Sequence, residues 1–217
     1  MRMSWNIPAL AFCLALAGCA SPDPVPYSGL ASTDYMRPSG PDGDRRIPYI
    51  YETAVDWRFY RNVILEPVSL YDGLDSQFGD LSQAERISLA DYMYRRFGDE
   101  LSRHFRLTNQ PGPNTLRIKL TLTGASTTTP VLGPLSRFDI AGGLYNGVQS
   151  FRGGEGTMTG SVIYAAEIYD AADLRLLKAF IAKQYPNSFN IGATFGSIDA
   201  AETGIDKGAE ALVEQLR

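Results

Sequence analysis

One stretch of the sequence decides the fold: Thr115-Leu116-Arg117-Ile118-Lys119-Leu120-Thr121-Leu122-Thr123, in which apolar and polar side chains alternate. Successive side chains of a strand point to opposite faces of its sheet, so the isoleucine and the three leucines share one face. The other face carries Arg117, Lys119 and Thr121, which we expect to face water. This alternation is typical of an antiparallel or edge strand with one buried face.

Four further runs are predicted to be strands of the same sheet, the first of them an edge strand in the aromatic and arginine-rich stretch 45–61. Residues 157–169 are apolar on both sides, which indicates a central position, and the turn Asp170–Asp173 connects them as a hairpin to residues 174–185. The earlier run Asn62–Tyr71 is apolar and rich in β-branched residues. We place it near the middle of the sheet, with Pro67 marking a bulge or the exit from pairing.

Two helices complete the predicted fold. The capping box Ser82-Gln83-Ala84-Glu85 begins the first helix. Apolar residues then recur at steps of three or four and are predicted to face the sheet: Ala84, Ile87, Ala90, Tyr94, Phe97, Leu101 and Phe105. The run from Ser197 to Arg217 predicts the second helix. This order of elements predicts an α+β fold, a mostly antiparallel sheet with two main helices packed on one face.

Composition and charge exclude some classes of function. The chain has 217 residues, 20 Lys and Arg against 24 Asp and Glu, and a pI near 5.1. Nucleic-acid binding requires clustered positive charge, so we expect no nucleic-acid partner. The only cysteines are Cys13 and Cys19, both near the start of the chain. We therefore expect a domain without disulfides.

The N-terminus carries the pattern of a signal peptide. Residues 7–16 form a mostly apolar run of ten residues, long enough for a signal peptide but too short to span a bilayer. The run closes with Leu16-Ala17-Gly18-Cys19, which resembles the lipobox of bacterial lipoproteins. The resemblance implies cleavage after Gly18 and acylation of Cys19. Because Ala20 follows, rather than the Asp that retains many lipoproteins at the inner membrane, the same resemblance favours the outer membrane, facing the periplasm, over the inner membrane.

The predicted layout has three parts: residues 1–18 as a removed signal peptide, 19–45 as a lipidated, Pro-rich tether, and 46–217 as a single periplasmic α+β domain. As a polyproline helix the tether would reach about 80 Å, and as a flexible coil about 30 Å. Four of its residues are large and apolar and could dock on the domain instead: Tyr27, Leu30, Tyr35 and Met36.

The segment 131–156 is the main candidate for a binding function. It sets large apolar residues among glycines, and we single out six of them as candidate contacts with a partner or with lipid: Leu135, Phe138, Ile140, Leu144, Tyr145 and Phe151. Long loops of this kind are usually functional. Three interpretations stay open: a cap on the core, an exposed surface that binds another envelope protein or lipid, and a lid over a small-molecule pocket.

Catalytic motifs are missing from the sequence, including nucleophile elbows, phosphate loops and zinc-binding pairs of histidines. A carboxylate pair drawn from Glu66, Glu155 and Glu167 leaves a cell-wall hydrolase as the least favoured hypothesis. The lone His104 and the loop acids Asp72, Asp75 and Asp80 fit no metal-binding spacing. We expect a protein that is not an enzyme and has no cofactor and no metal.

Several strand patterns resemble one known family. Together with the lipobox, the segments Val63–Val68, Gly112–Ile118 and Ile163–Asp170 are similar to the bacterial lipoproteins grouped as domain of unknown function 3313. The resemblance implies a small envelope lipoprotein of unassigned role. We therefore expect an accessory, partner-binding protein, with a small-molecule or lipid-binding module as the alternative; the oligomeric state stays open.

Overall fold

The computed structural model describes residues 22–41, 43–127, 160–186 and 198–217. Eight strands form one sheet: β1 (Arg37–Pro38), β2 (Tyr49–Glu52), β3 (Asn62–Leu65), β4 (Ser69–Leu70), β5 (Arg106–Leu107), β6 (Thr115–Ser126), β7 (Ser161–Asp170) and β8 (Leu176–Gln184). Two α-helices, α1 (Gln83–Ser102) and α2 (Asp199–Gln215), and a short 3-10 helix at Trp57–Phe59 complete the elements. The strand order is β1-β2-β8-β7-β6-β3-β5, and β4 also pairs with β6. The fold is therefore α+β.

The sheet is mixed, and the prediction of a mostly antiparallel sheet was wrong. The pairs β1–β2, β2–β8, β8–β7 and β7–β6 are antiparallel, whereas β3 runs parallel to both β6 and β5, and β4 runs parallel to β6. Parallel neighbours need a long crossover, and the connection from β3 to its parallel neighbours β5 and β6 contains the twenty-residue helix α1. The position predicted for residues 62–71 was also wrong, because β3 has only the two-residue β5 between itself and the edge.

The hairpin of β7 and β8 was predicted correctly. Both strands are buried over most of their length, as expected for central positions. The turn between them ends at Leu174, which has a positive φ of 60°. The break in pairing predicted at Pro67 is also confirmed, because this residue separates β3 from β4.

Each face of the sheet packs against a different part of the chain. On one face, which we call the helix face, Leu116, Ile118, Tyr164 and Phe180 form a single hydrophobic cluster with buried residues of both helices. The opposite face carries a second cluster that includes Ile163, Ala165, Ala179 and Ile181. Strands buried on both faces explain why residues 161–168 show no polar alternation.

The helix α1 begins as predicted but faces the sheet with a different stripe. Ser82 Oγ accepts a hydrogen bond from the backbone of Glu85, whose carboxylate accepts one in return, so the capping box is confirmed. The buried residues are Leu89, Ala90, Met93, Phe97 and Leu101. Ile87 and Tyr94 were predicted to face inward but are 48% and 43% exposed. The buried face of α1 is rotated about the helix axis relative to the predicted face. Ile87 and Tyr94 therefore lie at the edge of the helix–sheet contact and not inside it.

The helix α2 approaches the sheet closely. A Cβ added at Gly208 would lie 2.5 Å from the hydroxyl oxygen of Tyr164, which is shorter than any real carbon contact. Arg96 of α1 pairs with Asp206 of α2 at 2.7 Å between Nε and Oδ1. The helix α2 therefore packs closely on β7 and is joined to α1 by this ion pair.

Residues 25–36 lie across the second face of the sheet, and we call them the N-terminal strap and this face the strap face. Tyr27, Leu30 and Met36 are buried there against Ile163 and Ile181, whereas Tyr35 is 56% exposed. The sequence left open whether these residues belong to the tether or dock on the domain, and Tyr27, Leu30 and Met36 dock. The physical reason is the apolar strap face itself, which would be exposed to water without the strap.

Candidate functional site

The residues predicted to carry the function lie outside the described parts of the chain. They are Gly18 and Cys19 at the processing site, and Leu135, Phe138, Ile140, Leu144, Tyr145 and Phe151 in the candidate contact segment. The structure describes the chain next to each of them: residue 22 follows the processing site, and residues 127 and 160 flank the candidate contact segment. The geometry of these flanking residues decides where on the domain the two predicted sites attach.

Both sites attach at one end of the sheet. The end of β6, the start of β7 and the end of β8 lie side by side there, because Ser126 pairs with Ser161 and Val162 pairs with Gln184. We call this the loop end and the opposite end, at the turn after Asp170, the hairpin end. Ser126 Oγ and Ser161 Oγ are 3.0 Å apart. The candidate contact segment therefore leaves and re-enters the domain at the loop end.

Gln77 ties the N-terminal chain to the same end. Its backbone N–H donates to the carbonyl of Thr123 at 2.9 Å, and the N–H of Ala125 donates to its carbonyl at 3.1 Å. Its side-chain Nε2 donates to the carbonyl oxygen of Asp23 at 2.8 Å, and its Oε1 accepts from the hydroxyl of Tyr27 at 2.6 Å. The chain at Asp23 is thus within one side chain of the end of β6.

A second set of hydrogen bonds holds the beginning of the strap. Asp75 accepts from the Tyr71 hydroxyl at 2.6 Å and from the backbone N–H of Ser28 at 3.1 Å, and Gly29 N–H donates to the Tyr71 oxygen at 3.0 Å. The bonds from Tyr71 and Ser28 hold the pKa of Asp75 below its ordinary value. We call Tyr27, Tyr71, Asp75 and Gln77 the clamp.

Burial of the clamp changes the acidity of one of its tyrosines. Desolvation raises the pKa of Tyr27 to about 12; a hydrogen bond with Thr123 opposes that rise, and the charge of Asp75 adds to it. Tyr27 is therefore a neutral hydrogen-bond donor at any physiological pH. The sequence offered only the apolar spacing of the strap as a signal for this arrangement, since Gln77 and Asp75 lie about fifty residues away.

The strap face also contains a group of charged side chains. Glu167 is 1% exposed, and the Nζ of Lys119 lies 3.5 Å from its Oε2. Among the described residues no hydrogen bond of ordinary geometry satisfies either carboxylate oxygen of Glu167. Next to it, Arg117 Nη1 donates to Glu66 Oε1 at 2.7 Å. Burial, followed by the negative charge of Glu167, raises the pKa of the Tyr169 hydroxyl.

Two of the three carboxylates named as a possible catalytic pair, Glu66 and Glu167, form ion pairs. Glu66 and Glu167 are each paired with a cation from β6, and Glu155 lies outside the described residues. Arginine–carboxylate and lysine–carboxylate pairs of this kind are common structural features. In this structure both carboxylates serve as ion-pair partners of β6.

The four side chains whose spacing matched no metal site, His104, Asp72, Asp75 and Asp80, all lie in the described ranges. In the four described ranges, no group of three or more His, Cys, Asp or Glu side chains could hold a metal ion. His104 closely follows the end of α1, and Asp75 is used by the clamp.

A group of basic residues borders the loop end on the β8 side. The guanidinium of Arg46 stacks on the ring of Tyr185 at 4.5 Å, and its Nη1 donates to the Gln184 side chain at 3.0 Å. Lys207 Nζ donates to the Tyr185 carbonyl at 3.4 Å. Burial and then the charge of Arg46 lower the pKa of Lys207. No local pattern in the sequence indicated this group, because its members are far apart in the chain.

A groove between α1 and the edge strand β5 was also missed. Its volume is about 430 Å³, and Tyr94, Leu65, Gly98 and Leu107 are among the residues that line it. Tyr94 and Leu107 are both 43% exposed. The helical periodicity placed Tyr94 in the core and so concealed the groove.

The fold and these surfaces define an α+β protein whose two predicted sites attach to the loop end. The family model described as a protein of unknown function, DUF3313, matches residues 26–212. The chain therefore belongs to the DUF3313 family, as the sequence resemblance predicted. No curated protein matches the sequence.

Solved structures show only remote similarity. A PelC dodecamer from Paraburkholderia phytofirmans has 11% identity and a TM-score of 0.36 over 73% of this chain and 93% of that chain. A Xanthomonas campestris protein of the DUF330 family has 11% identity and a TM-score of 0.32 over 71% and 81%. A hypothetical protein from Chlamydia trachomatis has 10% identity and a TM-score of 0.33 over 72% and 95%. Because these TM-scores lie below 0.5, they carry no argument about this chain.

One further finding concerns membranes. Within the described residues, neither α1 nor α2 combines the length and the apolar character that a membrane-crossing helix needs.

Proposed function

We propose that this protein is a bacterial envelope lipoprotein that is cleaved after Gly18, acylated on Cys19 and held at the outer membrane, facing the periplasm. The observation that carries the proposal is the sequence Leu16-Ala17-Gly18-Cys19 at the end of a ten-residue apolar run. Two or three acyl chains, each methylene worth about 0.8 kcal/mol when buried, anchor a protein stably.

The proposed role of the anchored domain is to bind another envelope protein. The candidate contacts are the six residues Leu135, Phe138, Ile140, Leu144, Tyr145 and Phe151. Contiguous apolar surfaces are usually interaction sites, and this segment concentrates large apolar residues in a stretch too apolar for a solvated spacer. The attachment of the segment at the loop end supports a contact close to the anchor.

The two cysteines provide a matched test of the anchor. Cys19→Ala should leave an unprocessed or mislocalised precursor, whereas Cys13→Ala, inside the signal peptide, should be processed normally. Fractionation of membranes on a density gradient measures both outcomes. Normal processing and membrane retention of Cys19→Ala would refute the lipoprotein proposal, and co-migration of the wild type with inner-membrane markers would refute the outer-membrane location.

Crosslinking in intact cells tests the role in partner binding. Replacement of Phe138 and Phe151 by Ser should abolish a crosslink to another envelope protein while the melting temperature stays nearly unchanged, because exposed substitutions usually cost within about 0.5 kcal/mol. A loss of stability of about 2 to 5 kcal/mol would instead identify these residues as part of the core. A stable variant that keeps its crosslinks but loses a bound small molecule or lipid would favour the ligand-binding alternative.

A further inference from the structure

We propose that the loop end of the domain rests directly on the surface of the lipid bilayer, so that the central strands stand roughly upright on the membrane. The inference builds on the proposed acylation of Cys19. The loop end is then an interaction surface, and it contacts the headgroups of the membrane that holds the anchor.

The length of free chain between the anchor and the clamp sets the distance. Asp23 is held by Gln77 through its carbonyl oxygen, so only Ala20, Ser21 and Pro22 separate the acylated residue from the clamped one. Four steps of a fully extended chain span at most about 14 Å. While Asp23 is bound to Gln77, the domain cannot stand tens of ångströms above the lipid, as the predicted tether would have allowed.

The position of the clamp on the domain sets the orientation. Gln77 pairs with the last residues of β6, at the loop end. The strand β7 has ten residues and therefore carries the hairpin end about 30 Å away, at about 3.3 Å per residue. This is about twice the reach of the free chain. The acylated residue can approach the loop end but not the hairpin end.

The chemistry of the loop end fits a bilayer surface on its β8 side. Arg46 and Lys207 lie together around Tyr185, and the exposed Arg45 precedes them in the chain. Basic side chains next to a membrane are attracted to anionic headgroups. The loop Asp72–Asp80, which contributes Asp75 and Gln77 to the clamp, also carries the acidic Asp72 and Asp80, so we place the phosphate contacts on the β8 side.

Single-cysteine labels measure the orientation. Once Cys19 is acylated and Cys13 removed with the signal peptide, the domain has no free thiol, so Thr127→Cys and Ala172→Cys can each be labelled selectively with a fluorophore. Both positions are exposed, one at the loop end and one at the hairpin end. The lipidated full chain is reconstituted in vesicles of phosphatidylethanolamine and phosphatidylglycerol that contain a headgroup nitroxide quencher. We expect loss of fluorescence from the Thr127 label and none from the Ala172 label.

The outcomes separate the two proposals. Equal quenching at both positions, or stronger quenching at Ala172, in protein that floats with the vesicles would overturn the orientation and leave the lipoprotein proposal intact. Failure of the wild type to float would overturn both. A long Gly/Ser insert between Ser21 and Pro22 should leave flotation unchanged and reduce the quenching at Thr127. Undiminished quenching would show that the short chain and its clamp do not hold the domain at the membrane surface.

Discussion

Glu167 is a buried carboxylate of the sheet, and Lys119 is the cation that pairs with it. The carboxylate is almost fully buried, and the lysine, 36% exposed along its side chain, is its ion-pair partner at 3.5 Å. Lys119→Met should destabilise the domain by about 1–3 kcal/mol, since it leaves a buried carboxylate without a partner. Urea unfolding of residues 22–217 measures this loss.

The double variant Lys119→Met/Glu167→Met is the control for this pair. Replacing a buried ion pair by apolar residues of similar volume is often neutral or stabilising, so we expect the double variant to recover most of the lost stability. An unchanged urea midpoint in Lys119→Met alone would show that Glu167 does not depend on this lysine.

Asp75 makes the attachment of the strap depend on pH. Its pKa is lowered in the folded state from an ordinary value of 3.8, mainly by the hydrogen bond from Tyr71. A group with a lowered folded-state pKa stabilises the fold above its unfolded value, and that contribution is lost as the pH falls through the folded value. Asp75→Asn should therefore be less stable than wild type at pH 7, with the difference shrinking below about pH 4.

The exposed neighbour Asp72 offers a matched control for Asp75. Asp72→Asn changes the same charge in the same loop, and we expect it to leave the urea midpoint nearly unchanged at pH 7. A difference between Asp75→Asn and wild type that stays constant from about pH 7 to pH 3 would contradict the role assigned to the ionised carboxylate.

Among the elements, the two helices contrast in how they tolerate a side chain at glycine. Gly208→Ala should destabilise the domain, since its Cβ would lie 2.5 Å from the Tyr164 hydroxyl oxygen and force α2 away from the sheet. Overpacking of this kind costs about 1–3 kcal/mol. A Cβ at Gly98 in α1 would meet only Leu65 at 3.7 Å, an ordinary contact. Gly98→Ala should therefore stabilise α1 by up to about 1 kcal/mol through helix propensity.

Thermal unfolding of the two glycine variants checks this contrast. Tyr164→Phe removes the nearest clashing atom and should partly rescue Gly208→Ala. Equal melting temperatures for Gly98→Ala and Gly208→Ala would contradict the close approach of α2 to β7.

Local signals in the sequence predicted the elements well, but not how they pair. The capping box at Ser82 and the alternation in residues 115–123 act within a few residues, so they determine α1 and β6 directly. The parallel pairing of β3 with β6 joins residues more than fifty positions apart and leaves no local pattern. The same reason explains why the clamp was not predicted, because Gln77 and Tyr27 lie 50 positions apart in the sequence.

At the scale of the whole molecule, the strap decides where the folded domain begins. Residues 22–45 are rich in proline and glycine and poor in apolar residues, which is typical of a linker. The few apolar residues among them decide where this segment lies, despite its polar average composition. Tyr27, Leu30 and Met36 pack on an apolar face of the sheet. The predicted site residues Cys19 and Phe138 lie outside the described chain, so they stay predictions.

Shortening the chain tests this boundary. Residues 46–217 match the predicted domain, whereas residues 22–217 retain the strap. Without the strap, Ile163, Ala165 and Ile181 lose their cover. Burial of one large apolar side chain contributes about 1.5–3 kcal/mol, so the loss of Tyr27, Leu30 and Met36 together is comparable to the whole stability of a typical domain. We expect residues 46–217 to aggregate or to unfold at much lower urea, and residues 22–217 to remain monodisperse on gel filtration and to unfold cooperatively. Closely matching urea midpoints for the two chains would show that the strap lies on the sheet without stabilising it.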